Sequence, residues 1–399
     1  MKTSKRIPLF LIVRHVRHSN KWTLALIVFL MAIAFINLLF INSLFSGVIE
    51  SNQSQLINTR TGNVMITPAK GSDFIDNPAA LVKQVDKVPG VQAAAAETLV
   101  PGSIEFAGTR GNFDVTAIDP AQEKKATTVS EKMVTGSYLS PGDTEGIILG
   151  DIIAGKKEND TDFAPNGIKV GDTVNVITDS MVHPFQVRGV FKTKFNGTDD
   201  RAFVTNQGLN KIAPALKGKA TAAIVRADKR GNETKLVADM KAAGVPGTLR
   251  TWQQLAGAVR EITSSFVTIN ALMTVVGFFI AAVTIFIIIY VDVTHRRQEV
   301  GILRAIGVRS PLVVMTYVLQ AAVYSFLGVA LGTALYFAIL FPYFKAFPFK
   351  IPIGDVSLSI IPWDYLFRAF TVVAVGMLSG LIPALIGTRR PILDDILNR

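Results

Sequence analysis

Four stretches of this chain are apolar on every helical face. Leu24–Leu44, Phe266–Val291, Leu312–Phe341 and Tyr365–Ile386 carry a single charge between them, Arg368. About 20 apolar residues are needed to cross the hydrocarbon of a bilayer, so each stretch is long enough. None shows the period-2 alternation of a barrel strand. A helix bonds its own backbone groups where no water can, so the pattern predicts four transmembrane helices over 23–46, 266–291, 312–341 and 363–386.

Between the first two spans the pattern changes. Asn63–Pro68 reads as a short strand. Asn77 then reads as the N-cap of a helix with Pro78 at its first position and Pro89-Gly90 as its stop, followed by a strand over VQAAAAETLV. The same order returns near the far end: strand Thr221–Ala227, helix Glu233–Ala243 ended by Gly244, and strand Thr248–Thr251. Two β-α-β units at the two ends predict one subdomain whose chain is interrupted by an insert, about Pro101–Thr205. The insert is rich in short strands separated by turn residues: GSIEFAG, NFDVTAI, DTVNVIT, PFQVRGVF and RAFVT. The expected architecture is therefore a four-helix membrane protein with a large α+β domain outside the membrane. That domain is a β-α-β porter-like lobe, close to the membrane, carrying an inserted β-rich lobe.

Charge orients this arrangement. The first 21 residues hold Lys2, Lys5, Arg6, Arg14, Arg17 and Lys21 and no acid. The connection between the second and third spans holds Arg296, Arg297, Arg304 and Arg309, and the tail holds Arg389, Arg390 and Arg399. With four spans these segments fall on one side, which the positive-inside rule makes cytoplasmic. The expectation is a leader (1–22), an outer domain (47–265), a cytoplasmic connection (292–311), an outer loop (342–362) and a cytoplasmic tail (387–399). Both termini lie inside, and the first span stays as an uncleaved anchor, being longer than a signal core and followed by no clear A-x-A site. In the leader, Arg14, Arg17 and Lys21 share a helical face beside apolar Leu9–Val13, the pattern of an amphipathic helix on the inner leaflet. Anionic lipid and an acidic partner surface account for the net charge of +11 better than nucleic acid does. Cysteine is absent, which removes disulfides, lipid-bearing cysteine and thiolate metal sites.

Catalytic chemistry is sparse. His183 is the only histidine in the outer segment and reads as structural; Asp199 and Asp200 read as a solvated turn before a strand. No G-x-S-x-G, H-E-x-x-H or EF-hand pattern occurs. The nearest approach to a Walker A loop, KGKAT at Lys217–Thr221, lacks the upstream glycine and has Ala220 where a hydroxyl residue is needed. These residues are not expected to hydrolyse ATP alone. In the spans, Gly328/Gly332 and Gly376/Gly380 are G-x-x-x-G pairs that permit close helix packing. Asp364 and Arg368, four apart near the outer end of the last span, read as a local ion pair.

The segment HRRQEVGILRAIGVRSP, His295–Pro311, leaves the membrane and re-enters it almost at once. As a helix it places Val300, Leu303 and Gly307 on one face and brings Ile302 and Ile306 together. Arg296 and Glu299, three apart, are placed to pair. Gly301 and Gly307 leave room for another backbone, and Pro311 marks a boundary. A solvated loop would explain the arginines but not three large aliphatic residues in so short an exposed connection.

RRQEVGILRAIGV, in this position between spans, resembles the cytoplasmic motif of the FtsX/MacB-like permeases, the type VII ABC transporter family. The order of one span, a large outer domain, three spans and a tail is similar throughout. TGNVMITP, VPGVQAAAAE, GSYLSPGDTEGIILGDIIA and IKVGDTVNVI…FQVRGVF look like that family's periplasmic core domain, and GLIPALIGTRRPILDDIL looks like its ending, in which Pro383 closes the last span and Pro391 opens a short helix. The resemblance implies a permease subunit in a bacterial inner membrane, paired with a second copy or a related permease. It implies a separate cytoplasmic ATPase that holds the ATP and magnesium, so that this chain needs no cofactor and is not itself catalytic. The outer domains would carry ATPase motion by mechanotransmission, coupled through Arg296, Glu299, Ile302, Leu303, Arg304, Ile306 and Gly307, with a periplasmic carrier or adaptor as a further partner. Gln320 in YVLQAAVYSFLG, TWQQL, and IPIGDVSLSIIP are closer to lipoprotein-releasing (LolC/LolE-like) permeases, whereas the short DSMVHP loop lacks their carrier-binding hook. Lipoprotein or hydrophobic-substrate export, tripartite efflux, and FtsX-like regulation of a cell-wall hydrolase all stay open.

Overall fold

A computed structural model describes residues 21–155, 163–164, 166–178, 181–295, 297–351 and 354–388. The predicted leader helix, Arg296 and the tail from 389, including the helix opened at Pro391, lie outside the described residues. The chain divides into a helical unit (Met1–Glu50, Thr263–Phe349, Val356–Arg399) and an α+β unit (Ser51–Ile262, Lys350–Asp355).

The α+β unit is organised by twelve strands: β1 Val64–Thr67, β2 Ile75–Asp76, β3 Val91–Phe106, β4 Thr109–Ile118, β5 Met133–Gly136, β6 Gly146–Gly150, β7 Thr173–Thr178, β8 Met181–Phe191, β9 Arg201–Thr205, β10 Lys219–Ala220, β11 Ala222–Ala227 and β12 Thr248–Thr251. Ten of them form one sheet in the order β12-β1-β11-β3-β4-β9-β6-β8-β5, with β7 pairing both β3 and β8. The β12-β1-β11-β3 end, with helices Pro78–Val85 and Glu233–Ala242, is a β-α-β repeated twice in the ferredoxin-like order. Asn77 caps the first helix by accepting from Ala80 N, and Pro78 follows it. That helix ends at Val85, short of Pro89-Gly90. Its apolar face (Leu81, Val85) meets Val64, Ile66, Leu236 and Met240 in one core. A second core, with Ile104, Val115, Ile147, Val174, Phe185 and Leu209, fills the β-rich part.

The expected insert boundary at Pro101 is corrected here. VQAAAAETLV and GSIEFAG are one strand, β3, which runs through both parts of the sheet. Proline is tolerated mid-strand because of what lies beside it. On one side β3 pairs β11 as far as Glu97 and β7 only from Ser103. Leu99 N donates to Thr221 Oγ1 on that side. Two residues on, the N–H that Pro101 lacks would point into the gap between β11 and β7, where no ladder bond is lost. The strands β5 and β6 escaped the sequence reading. GIILG is buried at all five positions, so it has no alternation to betray it.

Asp199 is not in a solvated turn. It is buried and accepts from Thr193 N, Thr193 Oγ1 and Lys194 N, closing the turn that precedes β9. Asp200, by contrast, is exposed, though partial desolvation still raises its carboxyl above the usual range. His183 sits in β8 opposite Val176, with a shielded Nε2 that has no hydrogen-bond partner.

The helical unit is built on α1 Lys21–Leu56, α2 Gly257–His295, α3 Arg297–Ala305, α4 Ser310–Leu335 and α5 Pro362–Thr388, the first two extending past its limits, with a further short helix at Phe341–Ala346. Leu24–Thr61, Thr263–His295, Ser310–Ala346 and Pro362–Thr388 are long and apolar enough to cross a membrane. After α4 the helix widens to a π turn over Tyr336–Leu340, and Phe341 N bonds Tyr336 O. The ring of Pro342 cannot follow a regular α turn, which accounts for the widening. Pro383 does not close the last span: it lies buried inside α5, which continues to Thr388.

Glu97 gives the α+β unit a pH dependence. It is buried beside Arg201, whose guanidinium stands 3.7 Å away. Burial raises its carboxyl from 4.5 to about 7, against the pull of Arg60 and with Glu123 and Asp114 adding to the rise. A raised carboxyl binds its proton more tightly in the folded state, so the contribution to stability is fullest below the unfolded value and is lost as pH climbs through the folded one. Melting of the purified chain should therefore fall as pH rises from 4.5 to above 7. Glu97→Gln should flatten that slope; an unchanged slope would place the titration elsewhere.

Candidate functional site: the helix between two spans and the bundle that carries it

The connection from α2 to α4 is a short helix with two unlike sides. Val300 of α3 is 3% exposed and belongs to one apolar cluster with Val293 of α2 and Val313 and Tyr317 of α4. Val308 packs on the same cluster, and Gly301 is buried. Facing away, Ile302 is 54% and Ile306 72% exposed, beside exposed Gln298 and Glu299. Arg304 is half-buried. Leu303 belongs to the helix, but its side chain, like the whole of Arg296, lies outside the described residues.

Gly307 has a different place from the one expected. It stands past the helix with φ +95°, and its N–H bonds Arg304 O while Ile306 N bonds Ile302 O. Nothing lies within 4 Å of where its Cβ would be. The residue ends the helix in the left-handed conformation that glycine adopts freely, and none of the described residues lies against it. Arg309 and Pro311 then start α4, with Pro311 in its first turn.

Behind α3 the helices touch through glycines. A Cβ at Gly328 would lie 2.3 Å from Met31 Cβ, and one at Gly332 3.0 Å from Ala32 O, so both face α1. At Gly376 it would meet Ser325 Oγ at 2.2 Å, and at Gly380 Ala321 Cβ at 2.7 Å, both on α4. Two further contacts lay outside the G-x-x-x-G patterns: Gly277 against Leu38 and Gly387 against Val293. Together they join α1 to α2, α2 to α5, α5 to α4 and α4 to α1.

Two polar groups in the bundle are met by partners on neighbouring helices. Gln320 Nε2 donates to Asp292 Oδ2 (2.7 Å) and to Tyr324 OH (2.8 Å). The sequence signal for this trio was a glutamine in an apolar span, which needs a partner, and Asp292 is the carboxylate at the end of the neighbouring span. Arg368 Nη1 donates to Thr274 Oγ1 (2.9 Å), which stands 3.0 Å from Asn42 Oδ1. The Asp364–Arg368 pairing was expected from spacing; Thr274 and Asn42 were not. Among the described residues no group of three or more histidines, cysteines or carboxylates is placed to hold a metal ion.

Residues 24–243 match the MacB-like periplasmic core domain, and residues 271–392 match the FtsX-like permease C-terminal domain. The chain belongs to the FtsX/MacB-like permease family. Among its curated relatives, a macrolide export ATP-binding/permease protein MacB from Hyphomonas neptunium is 22% identical over 69% of this chain and 42% of that protein. A MacB from Chromobacterium violaceum is 26% identical over 29% of this chain and 17% of its own length. The permease thus spans less than half the length of these relatives. Among solved structures, the periplasmic region of MacB from Actinobacillus actinomycetemcomitans has a TM-score of 0.36 at 14% identity, covering 50% of this chain and 93% of that one. The extracellular domain of the noncanonic ABC-type transporter YknZ from Gram-positive bacteria has 0.34 at 11%, covering 47% and 97%.

The two sides of α3 in this permease should respond differently to truncation. Val300→Ala should lower thermal stability in detergent by about 1–2 kcal/mol, because it empties part of a packed cluster. Ile306→Ala should leave stability within about 0.5 kcal/mol, since the side chain is mostly solvated. Gly328→Leu should be worse than either, there being no room for even a Cβ. Equal melting of all three variants would mean that α3 is not seated as described.

Proposed function

We propose that this permease couples ATP hydrolysis on a separate ABC ATPase subunit to movement of its extracytoplasmic α+β domain, for export or extraction of lipoprotein or other hydrophobic substrates. The observation that carries the reading is the exposed pair Ile302 and Ile306 on a helix whose opposite side is held by Val300. Exposed aliphatic side chains in a fixed helix between two spans call for a protein surface to cover them. The ATPase would receive them in a socket, with Glu299 and Arg304 at its rim and Leu303 and Arg296 completing the contact. Gly307 would serve by ending the helix. ATP and magnesium would sit on the ATPase, leaving this chain without catalytic groups or cofactor of its own.

The same reading places the permease in a bacterial inner membrane with both termini in the cytoplasm, paired with a second copy or a related permease and surrounded by lipid. A periplasmic carrier or adaptor would take the substrate onward. The second reading is efflux, favoured by the relatives named for macrolide export.

Orientation is open to a direct test, because the chain has no cysteine. Ser72→Cys should react with an impermeant maleimide in intact cells, and Ser310→Cys only after lysis; the reverse pattern would invert the topology. Coupling is tested by Ile302→Asp with Ile306→Asp. Burying each isoleucine is worth roughly 1.5–3 kcal/mol, so the double variant should weaken ATPase association by at least about tenfold and abolish permease-stimulated hydrolysis. Glu299→Ala should be milder, since rim ion pairs contribute little. Wild-type co-purification and hydrolysis in the double variant would reduce α3 to a connecting loop.

A further inference from the structure

The KGKAT segment, Lys217–Thr221, fails as a Walker A loop but has another place in the α+β unit. Its first four residues line a cavity of about 360 Å³. β3 contributes Ala96 and Thr98 to that lining, helix Pro78–Val85 its first two residues, and helix Asn206–Ile212 its outer face. The cavity therefore lies where the ferredoxin-like and β-rich parts meet over the strand they share. Its volume is at the small end of the roughly 300–1,000 Å³ of small-molecule sites.

The turn that carries the two lysines is held in place. Gly218 stands at its centre with φ +74°, the left-handed conformation that glycine adopts freely. Lys219 and Ala220, as β10, pair with Asp76 and Ile75 of β2. Thr98 Oγ1 donates to Lys219 O at 2.8 Å, and Leu99 N donates to Thr221 Oγ1 at 2.8 Å, so the turn is bound to β3 as well. The Lys219 ammonium lies 5.4 Å from the centre of the Phe74 ring, a contact that orients it without using a hydrogen-bond acceptor. Lys217 is exposed and has no ion-pair partner among the described residues. No carboxylate belongs to the lining; Asp76, opposite Lys219 in the ladder, stays outside it. Two cations around a concavity that holds no acid favour an anion.

Carboxamides supply the rest of the chemistry. Asn206 and Asn210 are four apart and share a face of their helix, and with Gln207 they are exposed in the lining. A side-chain amide offers an acceptor oxygen and a donor nitrogen side by side. Adjacent hydroxyls on a ring match that pair, one giving a proton and the other taking one. Pro78, Ala79 and Leu209 offer apolar surface to the C–H groups of such a ring. An extended peptide suits the cavity less, because its affinity comes from ladder bonds to a free strand edge. Here β3 presents Ala96 and Thr98, alternate residues on one face of the strand. We propose that this cavity binds a sugar acid, a hydroxylated ring that carries a carboxylate or a phosphate. The lysines would take the anionic group and the amides the hydroxyls.

The test uses the full chain in phosphatidylcholine nanodiscs, with empty nanodiscs as the blank, and reads binding by saturation-transfer NMR. The probes are glucuronate, glucose 6-phosphate, glucose and triglutamate. At least one of the two sugar acids should bind more tightly than glucose, and the one that does assigns the anionic group. Lys217→Glu should weaken that sugar acid about tenfold, through one lost attraction and one added repulsion at an exposed site, and leave any glucose binding unchanged. Asn206→Ala with Asn210→Ala should weaken sugar acid and glucose alike. All three positions are exposed, so melting temperatures should stay at the wild-type value. Binding of neither sugar acid, equal binding of glucose, binding of triglutamate in their place, or wild-type binding by the Lys217→Glu variant would overturn the proposal. None of these substitutions touches α3, so the outcome is independent of the coupling reading.

Discussion

Acyl chains are as apolar as leucine, so helices in a bilayer gain little by hiding leucine from lipid, and what holds them together is how closely they approach. In the helical unit that approach is set by missing side chains. Met31 occupies the space a Cβ at Gly328 would fill, Ser325 that at Gly376, Leu38 that at Gly277 and Val293 that at Gly387. The contacts close a ring through all four long helices, so displacing one helix strains the others. Hydroxyl groups inside the ring bond back to their own helices, as Ser325 does to Ala321 O and Thr388 to Ala384 O. That arrangement leaves the backbone ladder intact and adds no polar demand on the neighbours.

The α+β unit rests on a different constraint, a single strand that serves two cores. β3 borders the ferredoxin-like core through Ala94 and the β-rich core through Val100 and Ile104. A strand that long in one sheet lets both parts share hydrogen bonding, so they are not two lobes joined by a linker. Charge is buried where the two parts meet, with Glu97 on β3 paired in register to Ile118 of β4 and to Ala222 of β11. A buried carboxylate beside Arg201 contributes little net stability, but losing either partner would leave a charge uncompensated.

Much of this was legible in the sequence, and the failures have physical causes. Uniform apolarity marked the spans, and N-cap and proline chemistry marked Pro78–Val85, because both signals are local. β6 was hidden by being buried on both faces, and the continuity of β3 through Pro101 by a gap in pairing that only the assembled sheet creates. Asp199 looked solvated because its three donors come from the preceding turn, a geometry that spacing alone does not specify. Of the connecting helix, the exposed Ile302 and Ile306 were readable as a pair, whereas the inward turn of Val300 and the terminating role of Gly307 depend on where α2 and α4 place the ends of the segment.

That dependence bears on what α3 is able to do. A helix of nine residues is marginal on its own in water, because nucleation costs more than so few hydrogen bonds return. Its helicity must come from its surroundings. Val300 and Val308 tie it to the cluster formed by Val293, Val313 and Tyr317, Gly307 stops it, and Pro311 begins the next helix without needing a donor. A segment fixed at both ends and along one side presents Ile302 and Ile306 at a defined place, and under the proposed coupling a force applied to them would be passed to α2 and α4 rather than absorbed by unwinding. The same two isoleucines on an unanchored loop would bind a partner at the cost of ordering the loop, and would transmit little. The buried Val300 is therefore as necessary to a coupling role as the exposed pair.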